Sequence, residues 1–316
     1  AMANHKLDRF LFAKADITYG LEFSSNSLDD RIEGYDIRTQ QTANIFGGYV
    51  QSEWKSNKLN MLLGARADKH SLLNTPVISP RVNLLYKPAT NLQLRASYSS
   101  GYRAPQVYDE DLHVTQVGGE SVRIQLAENL RPEYSHSTSL SADYYVRINE
   151  NLQANFLLEG FYTVLNDVFA LRTIGHDTNT QTMIQERYNA SGATVLGASL
   201  TAKVSYKDFL VISAAYTLQS SRYKETEYWS EDHSVEGTDK LLRSPDDYGF
   251  VSVDYNPTKK IGINVSGTYT GKMLVPHFAG YIENDRLETT PRFFDLNTAV
   301  NYDFKITKNN TIQVKI

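Results

Sequence analysis

Apolar and polar residues alternate with a period of two along nearly the whole chain. In "IGINVSGTYTG", 261–271, the residues Ile, Ile, Val, Gly and Tyr occupy every second position, with Gly, Asn, Ser and Thr between them. The same rhythm recurs in "LGASLTAKVSY", 196–206, and in "FDLNTAVNYDF", 294–304. This period puts apolar side chains on one face of a β-strand and polar side chains on the other. The sequence therefore predicts an antiparallel β-sheet with two contrasting faces.

The lengths of the connections predict how the strands are arranged. About thirteen strands are expected, near 10–25, 42–54, 58–69, 77–87, 91–101, 134–147, 151–171, 182–205, 209–222, 246–256, 261–272, 291–305 and 311–316. Short turns alternate with longer polar loops, which are expected near 26–41, 70–76, 102–133, 172–181, 223–245 and 273–290. All short turns would then lie at one rim of the sheet and all long loops at the other. Soluble Greek-key sandwiches mix these lengths, which favours an up-and-down barrel.

An aromatic residue precedes most of the short turns, always on the apolar face. These residues are Trp54, Tyr86, Tyr206, Tyr255 and Phe304. Any one of them has an ordinary explanation, since strands are rich in aromatic residues. Five in register indicate the aromatic girdle of a transmembrane barrel, where strands pass from lipid into water. We therefore predict an antiparallel transmembrane β-barrel whose apolar face contacts lipid and whose polar face lines the lumen.

The composition excludes several other classes of protein. The chain has no cysteine, which rules out disulfides, thiolate metal sites and a cysteine nucleophile. Its net charge of −4, with no basic cluster, gives no basis for binding nucleic acid. The sequence contains no Gly-x-Ser-x-Gly, no His-Glu-x-x-His and no phosphate-binding loop. We expect no enzyme activity, no catalytic residue and no resident metal site.

One strand, in "NLQLRASYSSGYRAP", 91–105, ends abruptly in a stiff and charged corner. Pro105 lacks an N–H group and biases Ala104 towards extended geometry, so pairing of the strand should stop there. The forked donors of Arg103 are expected to bridge neighbouring strand ends or loop carbonyls. Direct contact between Arg103 and a ligand is the alternative interpretation.

This corner and four other stretches carry a family resemblance. "GYRAPQVYDEDLH", followed by "ENLRPEYSHSTSLSADYY", resembles the barrel of TonB-dependent outer-membrane receptors. "GGYVQSEWKSNKLNMLLGARADKHS", "SPRVNLLYKP" and "YNASGATVLGASL" agree with the family in order and spacing. Ala198-Ser199 stands where Val-Glu is commoner in the family, and "ENLRPE", 128–133, departs from the commoner Asn-Pro-Asn-Leu. The resemblance covers essentially the whole chain.

The resemblance implies a larger protein than this chain. Receptors of the family have a 22-stranded barrel around an N-terminal plug. No stretch here is plug-like, and the chain stops within "TIQVKI". We expect 1–316 to be a single barrel domain fragment, from the central to the C-terminal part of a receptor, with too few strands to close.

The resemblance also implies a function in the outer membrane of a Gram-negative bacterium. The expected function is import of a scarce, bulky ligand of the ferric siderophore, haem or cobalamin class, with energy from TonB. The alternatives are a glycan importer and a passive or adhesive barrel. The expected partners are the TonB complex, through the absent plug segment, and outer-membrane lipid, with a surface lipoprotein as a further candidate. No intrinsic cofactor is expected, because iron, haem or cobalt would belong to the transported ligand.

Tyrosine, histidine, tryptophan and arginine residues of the long loops are the candidate ligand-binding residues. Tyr and His can ligate iron or haem iron, and aromatic side chains on polar loops can hold a flat or bulky ligand. Ordinary loop packing is the alternative interpretation for each candidate residue. For His277, contact with a partner protein is a further alternative. The candidates are Tyr102, Arg103, Tyr108, His113, Tyr228, Trp229, His233 and His277.

Overall fold

The computed structural model describes residues 1–32, 37–106, 122–177, 182–230, 235–277, 282–307 and 310–316. Every regular element within these ranges is a β-strand. The strands are β1 (Met2–Phe10), β2 (Ala13–Ile32), β3 (Ile37–Lys55), β4 (Leu59–His70), β5 (Val77–Ala89), β6 (Leu92–Arg103), β7 (Val122–Leu126), β8 (Glu133–Arg147), β9 (Leu152–Asn166), β10 (Phe169–Asp177), β11 (Thr182–Asn189), β12 (Ala193–Tyr206), β13 (Leu210–Glu227), β14 (Thr238–Lys240), β15 (Asp247–Thr258), β16 (Ile261–Thr270), β17 (Leu274–His277), β18 (Arg286–Thr289), β19 (Phe293–Lys305) and β20 (Thr311–Lys315). A search of the described residues finds no helix with the length and hydropathy of a membrane span.

Fifteen of these strands form one antiparallel sheet in which neighbours follow chain order. The order is β1-β2-β3-β4-β5-β6-β8-β9-β12-β13-β15-β16-β19-β20, with β14 attached to β13. Because β1 and β20 lie at opposite ends of this order, the described strands do not close the sheet into a ring. Two small sheets lie outside it, β10-β11-β7 and β17-β18. The prediction of an all-β, antiparallel, incomplete barrel is confirmed.

The structure corrects several predicted strand boundaries. A loop was expected at 26–41, but β2 and β3 remain paired from Ala15↔Trp54 to Ile32↔Ile37, so that prediction is wrong. The predicted strand 10–25 is β2, and β1 adds a hairpin before it. The predicted strand 151–171 divides into β9 and β10, and 182–205 divides into β11 and β12. Alternation continues across both breaks, so periodicity could not locate them.

Backbone conformation explains where these two breaks fall. Asp167 and Gly192 have positive φ angles of 56° and 101°. A left-handed residue interrupts the pleat and turns the chain out of the ladder, and Asp and Gly are among the residues that tolerate it best. The segment between them leaves the main sheet, and the chain re-enters the sheet as β12, which pairs directly with β9.

The apolar face of the main sheet is exposed to the surroundings, and it is not packed in a dry interior. Tyr19, Leu21 and Phe23 on β2 are 51%, 57% and 68% exposed, and the apolar faces of the later strands are similarly open. The buried apolar residues of the described chain are mostly alanines, together with Trp54, Leu73 and Val77. Large apolar side chains in this position have the arrangement expected of a membrane barrel and the reverse of a soluble one.

The aromatic residues at the short-turn rim mostly lie as predicted. Tyr86, Tyr206 and Phe304 are exposed on the apolar face. Tyr255 is half-buried, because the ring of Phe209 contacts it edge-on with 4.9 Å between centroids.

Trp54 departs from the expected girdle. Its ring is buried beneath Phe10 and Phe12, with centroid separations of 6.0 and 5.3 Å, and its Nε1–H donates to the Phe10 carbonyl at 3.0 Å. The hairpin that covers Trp54 was not predicted, so its burial could not be foreseen. Phe12 is the exposed aromatic residue at this point of the rim.

The polar face carries a cluster of ion pairs, one within β4 and one between β4 and β2. Arg66 donates from Nε to both oxygens of Asp68 at 2.9 Å and from Nη1 to Glu22 at 2.9 Å. Gly47 lies opposite Asp68 in the β3–β4 register. A Cβ on Gly47 would collide with the Asp68 carboxylate and the Arg66 guanidinium. The missing side chain therefore makes room for this pair.

We predict that Gly47→Ala lowers the free energy of unfolding by about 1–3 kcal/mol, because it displaces a well-packed and partly buried ion pair. Gly160→Ala is the matched control, since the nearest atom to its added Cβ would be 4.0 Å away. Urea unfolding of the detergent-solubilised protein measures both changes. Equal losses in the two variants would show that the Arg66–Asp68 pair is not the cause.

Candidate functional site

The corner after β6 is built on a small apolar cluster at the long-loop rim. Leu73, Val77 and Ala104 are buried there, and Tyr102 and Tyr134 pack against them. β6 ends at Arg103, immediately before Ala104 and Pro105, as the sequence predicts. The corner therefore holds the 71–76 connection against the end of β6.

His70 lies beside this cluster and is 1% exposed. Its Nδ1 accepts the Leu72 N–H at 3.1 Å, and its ring meets Tyr102 edge-on at 6.5 Å. The buried Nε2 has no hydrogen-bond partner among the described residues. Burial lowers the pKa of His70, although Asp68 opposes the shift, so the ring is a neutral packing residue.

Tyr102 has the same character at the corner. Burial, and next the nearby Asp68 carboxylate, raise the pKa of its phenol above the ordinary value. An iron-ligating phenolate would need the opposite shift. The described geometry gives Tyr102 a packing role, and its predicted ligand contact stays a prediction.

Arg103 bridges the strand ends, as predicted. Its Nη2 lies 3.6 Å from the Glu133 carboxylate on β8, and its guanidinium lies over the Phe169 ring, 4.9 Å from the centroid. Glu133 also accepts the Phe169 N–H at 3.1 Å. Arg103 and Glu133 together hold the start of β10 against the ends of β6 and β8. Contact between Arg103 and a ligand stays a prediction.

Asn189 fastens the β7-β10-β11 sheet to the rim. Its Oδ1 accepts the Arg131 N–H at 2.8 Å, and its Nδ2 donates to the carbonyls of Arg131 and Asp167 at 2.9 and 2.8 Å. Arg131 also reaches the Asp167 carboxylate at 2.5 Å. Asn189 lies in "YNASGATVLGASL", one of the stretches that resemble the family, but the sequence did not predict this role for it. Its position at the end of an alternating run was the available signal.

Arg187 was missed altogether, and the sequence offers no signal for it. It is 1% exposed and donates from Nη1 to the Gln106 carbonyl at 3.0 Å. Residue 187 reads as one more polar position of an alternating strand. Only the folding of β11 over the corner buries this guanidinium.

The second group of candidates lies on the two loops after β13 and β16. Tyr228 is exposed, and the Trp229 Nε1–H donates to the Glu236 carbonyl at 3.2 Å. His277 Nε2 lies 3.4 Å from Glu288, across the β17–β18 pair. These three residues therefore lie on loops of adjoining strands.

Two hydrogen bonds join these loops directly. Ser230 donates to Asp285 at 2.5 Å, and the Arg243 N–H donates to the Leu274 carbonyl at 2.8 Å. The described parts of the loops at 223–245 and 273–290 therefore form one surface, which we name the Tyr228 surface after the exposed aromatic residue on it.

The structure separates the predicted residues into two groups along the rim. β13, which leads into Tyr228, is four neighbours from β6 in the sheet order, roughly 19 Å at the usual strand spacing. Hydrogen bonds join the strand ends that lie between the two groups. Lys224 donates to Asn166 at 2.8 Å, and Ser191 Oγ donates to Glu227 at 3.1 Å. Tyr108, His113 and His233 lie outside the described residues.

The described residues offer no cluster of three or more His, Asp or Glu side chains that could hold a metal ion. The candidates that are placed, Tyr102, Arg103, Tyr228, Trp229 and His277, are single side chains on two rim surfaces.

We predict that Asn189→Asp loosens the β7-β10-β11 sheet, because a carboxylate oxygen would face two backbone carbonyls. The local opening free energy should fall by about 1–3 kcal/mol, which hydrogen exchange of β10 and β11 amides measures. Asn151→Asp is the control, because it makes the same change of charge in a short turn, where the Asn151 hydrogen bonds use its backbone. Unchanged protection in Asn189→Asp would contradict the role assigned to this side chain.

Comparisons with known proteins agree with this architecture. The family model described as "TonB dependent receptor-like, beta-barrel" matches residues 3–316. No curated protein sequence matches the chain.

Solved structures of outer-membrane receptors are similar in fold. The siderophore receptor PirA from Acinetobacter baumannii has 17% identity and a TM-score of 0.69, covering 99% of this chain and 49% of PirA. A mutant of the ferric enterobactin receptor PfeA from Pseudomonas aeruginosa has 18% identity and a TM-score of 0.67, covering 99% of this chain and 47% of PfeA. The FrpB iron transporter from Neisseria meningitidis has 17% identity and a TM-score of 0.62, covering 95% and 47%. The chain thus spans about half the length of these proteins.

Proposed function

The chain belongs to the TonB-dependent receptor family, whose members are β-barrel receptors and transporters of the bacterial outer membrane. We propose that it is part of a receptor that imports a ferric siderophore. The family is one of transport proteins and receptors, not a class of enzymes. The exposed apolar face of the main sheet would contact outer-membrane lipid, and the polar face would line the route of the ligand.

One observation carries the choice of ligand class. Three solved barrels that match over 95–99% of this chain are named as a siderophore receptor, a ferric enterobactin receptor and an iron transporter. The Tyr228 surface supports the proposal, because aromatic side chains at an outer rim can hold a bulky, flat ligand. Haem, cobalamin and glycans are the competing ligands, and a barrel without active import is the competing class.

Energy for import would come from the inner membrane through TonB, because the outer membrane sustains no ion gradient. The contact with TonB would be made by a segment outside this chain. The iron would be cargo of the siderophore, so the receptor itself needs no resident cofactor. A surface lipoprotein is the alternative partner of the Tyr228 surface.

Uptake by intact cells tests this function. A strain that lacks the full-length receptor should lose accumulation of radioiron from a ferric siderophore, and a plasmid copy should restore it. Deleting TonB should abolish the restored uptake. Growth on haem, cobalamin or glycan as the limiting source serves as the comparison. Restoration on one of those sources alone, or uptake without TonB, would contradict the proposal.

Trp229→Ala tests the Tyr228 surface as the ligand-binding site. We expect about tenfold weaker binding, since loss of one large aromatic contact costs about 1.4 kcal/mol. Binding of a radioiron-labelled siderophore to intact, chilled cells measures the affinity. Tyr144→Ala is the control, because this exposed aromatic residue lies on β8 near the opposite, short-turn rim. Unchanged affinity in Trp229→Ala would remove this surface from the site.

A further inference from the structure

A groove of about 520 Å³ crosses the polar face over β3, β4, β5 and β6. Gln51, Gly64, Arg81 and Ser99 follow one another across these strands in register and form its middle row. We call it the Arg81 groove. It lies within the wall of the sheet, separate from the rim candidates.

Of the described residues that line the groove, the charged ones are both arginines and none is a carboxylate. Arg66 is already neutralised by Asp68 and Glu22 at 2.9 Å. The Arg81 side chain is exposed, and its guanidinium has no hydrogen-bond or ion-pair partner among the described residues. Among the described residues of the groove, the Arg81 guanidinium is therefore the cation without a carboxylate partner.

The surroundings of Arg81 leave its guanidinium accessible. Gly64 adds no side chain beside it, and a Cβ there would lie 3.3 Å from Arg81 Cγ and 2.9 Å from Gln51 Cβ. The small hydroxyl side chains of Ser79, Ser97 and Ser99 line the same groove. A guanidinium fork beside hydroxyl donors matches the oxygen pairs of a carboxylate or catecholate, which accept two parallel hydrogen bonds.

We propose that the Arg81 groove binds an oxyanion group, and that this group belongs to a negatively charged ferric complex on its way through the lumen. The assignment of the ligand rests on the proposed import of siderophores. The same chemistry could be supplied by a carboxylate from a part of the polypeptide outside this chain. The experiment below separates these two sources.

The test compares the full-length receptor with Arg81→Gln and Arg81→Lys. Arg147→Gln is the matched control, since Arg147 is an exposed arginine of β8, outside the groove lining. The first probe is sodium citrate, a free tricarboxylate, compared with sodium chloride at equal ionic strength. We expect citrate to raise the thermal unfolding midpoint of the wild type and Arg147→Gln, to have no such effect on Arg81→Gln, and to act partially on Arg81→Lys.

The second probe is uptake of a trianionic ferric tris-catecholate complex by intact cells. If the transported ligand supplies the oxyanion, uptake by Arg81→Gln should fall about tenfold, with Arg147→Gln unchanged. If a carboxylate of the same polypeptide supplies it, Arg81→Gln should unfold at lower temperature without any ligand, and citrate should not stabilise the wild type.

The outcomes separate the groove from the proposed function. A citrate response that depends on Arg81, in a wild type that takes up no ferric complex, would support the groove and refute siderophore import. Arg81→Gln indistinguishable from the wild type in citrate response, ligand-free midpoint and uptake would overturn the groove as an oxyanion site.

Discussion

The structure depends on unbroken backbone pairing across a sheet whose apolar face is exposed. Within a membrane, an N–H or C=O group without a partner costs several kcal/mol, so each strand must be paired on both sides. β12 meets this condition over its full length, from Ala193 to Tyr206, against β9 on one side and β13 on the other. β10 and β11 lie in a separate sheet, and β9 and β12 pair directly, so the ladder of the main sheet is not interrupted. A strand cannot stay in the ladder unless its neighbour continues beside it.

The register of the strands determines which side chains share a face. On the polar face it brings charged side chains close enough to form ion pairs. Ionic groups on this face, such as Arg66 with Glu22 and Arg95 with Asp143, are brought together from residues of different strands. Glycine at a register position creates space in the wall, as Gly47 does for an ion pair and Gly64 does beside Arg81. The polar face of a sheet with uniform period-two alternation can thus contain both neutralised ion pairs and the Arg81 groove.

The outer rim is organised by different interactions. Beyond the main sheet, backbone groups are satisfied by side chains and by two small sheets, and Asn189 and Glu133 each bind more than one segment. Arg103 serves this framework and lies under the 167–189 segment. On the Tyr228 surface, Tyr228 is exposed beside two joined loops. The described contacts give Asn189, Glu133 and Arg103 a role in rim architecture, whereas ligand capture by the Tyr228 surface is a proposal.

Periodicity alone determined the all-β class, the antiparallel arrangement of the main sheet and its exposed apolar face. These follow from the local pattern because successive side chains on a strand point to opposite faces, so the face depends only on whether the position is odd or even. Tertiary structure alone decided that Trp54 is covered by a first hairpin, that 167–192 folds away from the main sheet, and that Arg187 is buried over the corner. It also decided that Arg81 faces a groove whose described lining residues include no carboxylate. Each of these depends on which distant residues lie opposite, and a period of two carries no information about that.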